Sequence, residues 1–597
     1  MKRTFRMMAA GATVLTALAM TCATESTAHA ADPAQSALAA WQRVGRPDRL
    51  IVIRPGAVDL VHQGVLVSRR GREAGAVPLS RLVADTGPNW IAQSADDPSV
   101  VQVKAAILLS PGAGLRIGEV TKKVLFTAGD SATSGTWIRG SRASLDIRDT
   151  TLAVAGPDGG SPGDSSPVRP YIYMGEGGRL DVTDSTVTGF GLRGKAPAKF
   201  SGVTWGTGSS GSAVGATFED NRTGLRVAGA TGVRLDDVTA ENSVEDGIVL
   251  NHDTGTSVAR LTAAGSGRDG VVVGGTAGRS LSGVTTRDSR GTGVKATSQD
   301  GLRLLGVDSR SDRRGGIRLL SCRNCTVTNA AVRHTDVALA ISGPGSAATV
   351  DNARLSDGRT GISLGKDIRS ATVAGGTVSG FERGIAVSGP RTTVTRTRVA
   401  DSRTGITVRD KAHDVALTDV TVAGCRTGVT AASTAAHVSL TRARITDASA
   451  KGLASASPQL LVKGGSVSGA NTAVDLRAPA RLDGLAVTDA YRGLHLAANV
   501  HAAGTGLDVL AEHKGVEADR GAVLDVTDSR VRAPLALAGD GRIMRHGRVQ
   551  VTLPPFPWLG FAAIAALLAS VALQTVHQVR HRGTRAPKVA GHVRNTA

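Results

Sequence analysis

VEDGIVLNHDTGTSVARLTAAGSGRDGVVV, residues 244–273, decides the fold. It opens on Asp246-Gly247-Ile248 and, one period of 23 residues later, closes on Asp269-Gly270-Val271. The same glycine, followed by aliphatic–any–aliphatic, stands at Gly224, Gly247, Gly270, Gly293 and Gly316, each 23 residues apart. It continues at Gly361, Gly384, Gly405, Gly428, Gly452, Gly493 and Gly515, with Val337 and Ala473 in the glycine's place and a spacing of 20 to 24. Two further aliphatic runs fall inside a period, residues 233–235 and 238–240 before 247–250, for instance. Three short strands per coil of about 23 residues, none able to stand alone, predict an all-β chain folded as a right-handed parallel β-helix. A leucine-rich repeat would need a fixed Leu/Asn consensus, and a propeller about forty residues per blade. Some eighteen coils at a strand spacing of roughly 4.8 Å make a rod of order 85 Å. Strand alternation points Ile248 and Leu250 into the core and Val249 outward.

The flanks follow from that ruler. Residues 102–537 are read as the β-helix, which uses most of a 597-residue chain as a single body. Residues 31–101 are less repetitive, with helix-like patches and two strands, and are read as an N-terminal cap covering the open strand edge, or as a small domain serving as one. Gly at 75 residues, roughly twice average usage, with only 3% aromatics, suits short strands and tight turns over an aliphatic core. An excursion at 156–170, rich in Gly, Pro, Ser and Asp, reads as a surface loop.

Both termini point to a membrane. Residues 1–30 have a basic start, an apolar run and Ala28-His29-Ala30, which together read as a secretory signal peptide, with an uncleaved anchor as the alternative. Residues 538–557 are taken as linker or cap. Residues 558–576 lack any charge, are long enough as a helix to span a bilayer at roughly 28 Å, and precede a basic tail, 577–597. Positive-inside logic then gives a single-pass cell-membrane protein with the body outside and the C-terminus in the cytoplasm. The alternative for 558–576 is a buried core helix. Cys322-Arg323-Asn324-Cys325 reads as a strained disulfide, as half a metal site, or as buried structural cysteines. No second ligand pair stands nearby, and the motifs imply no metal and no cofactor.

The formal charge is +20, of which +13 belongs to residues 31–576. A basic body of this size attracts polyanions. Nucleic acid, anionic lipid and acidic polysaccharide are all candidates; the extracytoplasmic placement and the lack of any nucleic-acid motif count against nucleic acid. The outward column of the Gly-motif strand reads Arg226, Val249, Val272, Lys295 and Arg318, then Leu339, Ser363, Ala386 and Thr407. Such a column forms a groove in which a linear anion can lie along the axis. His252-Asp253, just past the strand, is a His beside a carboxylate and so a candidate general base. The alternative is an ordinary turn histidine.

From residue 108 to about 364 the chain resembles the mannuronan C-5-epimerases of alginate synthesis. The resemblance is carried in order by Leu115-Arg116-Ile117, Arg169-Pro170-Tyr171-Ile172, Gly177-Gly178, Asp184-Ser185-Thr186-Val187 and Phe190-Gly191-Leu192. It continues through Gly247-Ile248 to His252-Asp253, and through Asp269-Gly270-Val271-Val272-Val273. It implies abstraction of the C5 proton of a uronate by a histidine while an arginine neutralises the carboxylate, whose dianion would otherwise be prohibitive. On it, His252 is the expected base, with Asp253 and Asp269 beside it, and Arg226, Lys295, Arg318, Tyr171 and Tyr173 are expected to bind substrate. Gly274-Gly275 stand where the family has its arginine, and Val249-Leu250-Asn251 is one residue longer than the family's motif. The expected function is therefore C-5-epimerase- or lyase-like modification of an acidic, uronate-containing polysaccharide, or its binding. The alternative is a non-catalytic glycan-binding or cell-surface scaffold derived from such an enzyme.

Overall fold

The computed structural model describes residues 32–582 apart from 132, 157–167, 195, 276–277, 410 and 555–557. The expected signal peptide, most of the 156–170 excursion and most of the basic tail lie outside the described residues.

Short strands bury polar backbone, and every one of those groups needs a partner. Here each strand finds it in the coil before and the coil after. Ile248–Asn251 runs parallel to Leu225–Ala228 on one side and to Val271–Gly274 on the other, pairing Arg226 with Val249 and Val249 with Val272. Ser257–Ala264 serves two further sheets at once, turning at Arg260, whose φ of 50° is left-handed. Repeated over about 19 turns, this gives three parallel sheets around one continuous aliphatic core. Ile248, Leu250, Leu261 and Ala263 are fully buried contributions from a single coil. The periodic glycine is a matter of space. A Cβ on Gly247 would lie 2.6 Å from the Gly270 carbonyl oxygen and 2.8 Å from Ser266 Oγ.

The first coil is completed by the N-terminal segment. Arg49–Arg54 lies parallel on Ala106–Leu109, and Ala57–His62 and Val65–Gly71 fold back on it antiparallel. Helix α1 (Pro33–Arg43) starts at Asp32, whose carboxylate accepts the Ala34 N–H at 3.0 Å. Its Ala37 and Ala40 pack with Leu50, Val52, Ala106, Trp137 and Tyr171 in a second apolar cluster, separate from the solenoid core. Helix α2 (Leu79–Thr86) puts Leu79 and Leu82 into the main core. Cys322 and Cys325 form a disulfide, and Cys425 is a buried thiol.

Three expectations are corrected. The solenoid does not stop near 537, because Arg542–His546 pairs with Val523–Thr527 and Gln550–Thr552 with Arg530–Arg532. Ile543 and Val549 keep an inward apolar contact there, so the ladder has a reason to continue. Second, among the described residues no helix is long and apolar enough to cross a membrane. Residues 558–576 fall in helix α3 (Trp558–Arg582), an Ala-rich segment in which Ile564, Leu567, Leu568 and Leu573 are exposed, so it is not a buried core helix either. Third, Leu339 does not continue the outward column. Arg318 pairs with Ala340, because Ala338 and not Val337 takes the glycine's place, and Leu339 is fully buried.

Emptying one core position without room to collapse should be costly. Leu250→Ala is expected to destabilise by about 2–5 kcal/mol in urea unfolding followed by circular dichroism, whereas Arg318→Ala on the outer face should stay within about 0.5 kcal/mol.

Candidate functional site

The sheet built from the Gly-motif strands, here the front sheet, carries the outward column. Register places Arg139, Tyr173, Thr204, Arg226, Val249, Val272, Lys295 and Arg318 in single file, one per coil. Four of the five expected binding residues thus share one column. Their environments differ. Arg318 is exposed, while Lys295 Nζ donates to Asp269 at 2.8 Å. Arg226 is half-buried; desolvation lowers its guanidinium pKa, with Asp246 and Glu245 acting in the opposite sense. Val249 faces outward but is only 4% exposed, closed over between its column neighbours. Tyr173 is half-buried, and burial, reinforced by Glu176, raises its phenol. Tyr171 lies off the column in the apolar cluster beside α1, its ring 4.5 Å from Phe200.

The expected catalytic residues do not converge. His252 is exposed in a left-handed turn with φ of 51°, its imidazole lying over Gly275, where a Cβ would fall 2.5 Å from Nε2. The bare Gly275 is what makes room for that ring. Asp253 is fully buried, and its carboxylate is taken by Arg279, only 3% exposed and also donating to the Asp253 carbonyl. A charge so engaged is part of the coil's scaffold. Asp269 stands in register with Asp246, at the opposite end of the front strand from His252 and about 20 Å away along the strand direction. There it accepts the Thr292 N–H at 2.8 Å, as Asp246 accepts the Asp269 N–H at 3.2 Å. These carboxylates tie one coil's corner to the next.

A second feature of the front sheet was not singled out from the sequence. A cleft of about 600 Å³ spans four coils, its floor made of the small column residues Thr407, Thr430 and Ala454. Arg403, Arg409, Arg426, Lys451 and Arg477 line it, against the single carboxylate of Asp475. Thr404 pairs with Thr427, so the exposed Arg403 and Arg426 stand one directly above the other, like charge on like. Neither has a carboxylate partner among the described residues, an arrangement that costs stability. Asp475 is 2% exposed and receives Lys451 Nζ at 2.5 Å, His495 Nδ1 at 2.8 Å and Arg477 Nε at 3.3 Å. Burial pushes its carboxyl up, but the hydrogen bonds from Lys451 and His495 and the charges of Lys451 and Arg477 outweigh that and hold it below its ordinary value. Farther along, Tyr491, 48% exposed, stacks on His513 with ring centroids 5.0 Å apart. The signal was legible in principle: Arg403 and Arg426 each stand two residues before the periodic glycine, and Arg409 stands four after it.

Two outcomes are expected of these assignments. Asp253→Ala strands a buried guanidinium and should cost about 3–5 kcal/mol, while His252→Ala should leave the thermal unfolding curve almost unchanged. Asp475, whose pKa is lowered on folding, lends stability that is complete at neutral pH and is lost as pH falls below about 4 through the folded value. Asp475→Asn should therefore flatten the acid limb of the stability–pH curve while lowering stability at pH 7.

Among curated proteins none matches this chain. Among solved structures the periplasmic alginate epimerase AlgG is similar at 13% identity, over 77% of this chain and 88% of that one, with a TM-score of 0.35. The pre-mature gene product 12 of bacteriophage phi29 is similar at 13% identity, over 76% of this chain and 68% of that one, TM-score 0.36. The catalytic domain of a GH87 alpha-1,3-glucanase is similar at 11%, over 73% and 69%, TM-score 0.30. The alginate epimerases, which the sequence motifs resemble, are thus met again among the similar structures. The family model described as the right handed beta helix region matches residues 223–342 and 293–445, and with the register above it makes this chain a right-handed parallel β-helix there.

Proposed function

We propose that the front sheet binds an acidic polysaccharide laid along the solenoid axis, and that the body works outside the cytoplasm. The observation that carries this reading is the cleft in which Arg403 and Arg426 are stacked without a counter-charge, flanked by Arg409, Lys451 and Arg477. A fold that matches carboxylate to guanidinium between most neighbouring coils forms no ion pair at Arg403 or Arg426 among the described residues, even though Glu382 stands one coil before Arg403, so their charge is left for an external anion. A linear polyanion repeats its charge as the sheet repeats its coils, and several modest contacts then add along its length. The small floor residues leave room for the polymer, and the exposed Tyr491 ring offers a flat face on which a sugar can stack. The Cys322–Cys325 disulfide supports an oxidising compartment.

The geometry favours binding over C5 proton chemistry at His252. The resemblance calls for a base with an arginine and further carboxylates around it. Asp253 is instead committed to Arg279, and Asp269 to Lys295 and the next coil's backbone.

Co-sedimentation or surface plasmon resonance with polyuronate should show binding that weakens by about tenfold or more between low and high salt, as electrostatic association does. The double variant Arg403→Ala/Arg426→Ala should lose most of it, and neutral dextran should not bind. Binding that ignores salt, or that survives the double substitution, would overturn the proposal. In D2O, polyuronate incubated with the protein should gain no deuterium at C5; label that His252→Ala abolishes would reinstate proton abstraction there.

A further inference from the structure

At the N-terminal end of the front sheet the outward face is not open. It is roofed by the turn after α1 and by Leu192, Arg193 and Ala196, and beneath that roof lies a cavity of about 380 Å³. Val44, Pro47 and Leu192 form apolar walls, and Trp137 and Tyr171, stacked at 6.3 Å, form an aromatic one. Arg139 lines the same space. Its guanidinium lies 4.3 Å from the Trp137 ring, 4.6 Å from Phe200 and 5.1 Å from Tyr171, donating to the Val44 carbonyl at 3.1 Å and to the Tyr171 hydroxyl. Its Nε is buried and has no hydrogen-bond partner. No described carboxylate neutralises it, and burial alone lowers its pKa to about 10.

The contrast within the molecule is direct. Arg279, a buried arginine of the solenoid, is matched by the carboxylate of Asp253. Ring faces attract the Arg139 cation, but a π-face accepts no hydrogen bond from an in-plane Nε–H as a carboxylate does. A half-buried guanidinium with an unspent donor, beside a cavity lined largely by apolar and aromatic side chains, is half of a recognition site. We infer that this pocket binds one small carboxylic acid carried on a flat ring, its carboxylate on Arg139 and its ring against the Trp137–Tyr171 wall. The roof and the small volume exclude a polymer strand, so this inference stands apart from the polysaccharide reading.

The test is isothermal titration of the full chain with benzoate, with benzyl alcohol as the neutral analogue and inorganic phosphate as the anion without a ring. Benzoate is expected to bind saturably, the alcohol at least about tenfold more weakly, the scale of one charge-assisted hydrogen bond, and phosphate not at all. Arg139→Met should abolish benzoate binding without lowering Tm, since it removes an unneutralised buried charge. Ala196→Trp, which fills the cavity and leaves Arg139 in place, should also abolish it while polyuronate binding persists; this variant decides the matter if Arg139→Met fails to fold. No heat with benzoate up to about 10 mM, well past the weak millimolar range, overturns the inference. So does phosphate competing with benzoate, or an unchanged benzoate affinity in Ala196→Trp.

Discussion

Everything in this molecule depends on the parallel, in-register ladder that sets each coil on the one before it. The ladder fixes more than backbone hydrogen bonds. Because equivalent residues stack at about the strand spacing, any charge repeated at the same offset meets its own kind one coil away. The chain manages this by pairing across coils: Asp236 with Arg260 at 2.5 Å, Asp336 with Arg359 and Asp419 with Arg442 at 2.7 Å, Asp269 with Lys295 at 2.8 Å. Most of these are exposed and individually weak. Their main effect is to remove repulsion that the fold would otherwise impose. Against that background Arg403 and Arg426 stack with no ion pair among the described residues, as Arg290 and Arg313 also do.

The repeat was legible because one physical requirement recurs without compromise. At the corner where Gly247 stands, a Cβ would strike the next coil's carbonyl, and the same holds at Gly270, Gly361 and Gly428. Reading that glycine therefore located strand, core and outward column together. The slip at Leu339 arose at a coil where the glycine is replaced, since Ala338 also fits the corner and shifts the count by one. The candidate chemistry was less legible. Whether Asp253 is a free carboxylate or a buried ion-pair partner depends on Arg279, 26 residues away, and nothing local to His252-Asp253 announces that. Asp269 had the residue type of a catalytic acid, yet its position at a coil corner makes it a backbone acceptor. The cleft was missed for a different reason: its arginines flank the strand instead of standing on it, and only offsets before and after the glycine bring them into line.

The two faces of the front sheet's N-terminal portion also explain why one residue class reads differently along a single column. Arg139, Arg226 and Arg318 occupy equivalent places, but the first is roofed by the turn after α1 and by Leu192, Arg193 and Ala196, the second is half-buried beside its neighbours, and the third is exposed. Repetition supplies the position, and what covers the coil decides its chemistry.

The ends of the rod are guarded by different means. The first coil is sealed by folded structure, the antiparallel hairpin and the two helices. The last rung, Arg542–His546 and Gln550–Thr552, has a partner strand on one side only among the described residues, and Met544, Val551 and Leu553 are exposed there. What keeps that edge from templating another chain is charge: Arg542, Arg545 and Arg548 all project from it, and like-charged edges repel. Protection of that kind is conditional. It weakens as ionic strength rises and the repulsion is screened, so the colloidal behaviour of the rod is set at its C-terminal end by the salt around it, while the N-terminal end is indifferent to it.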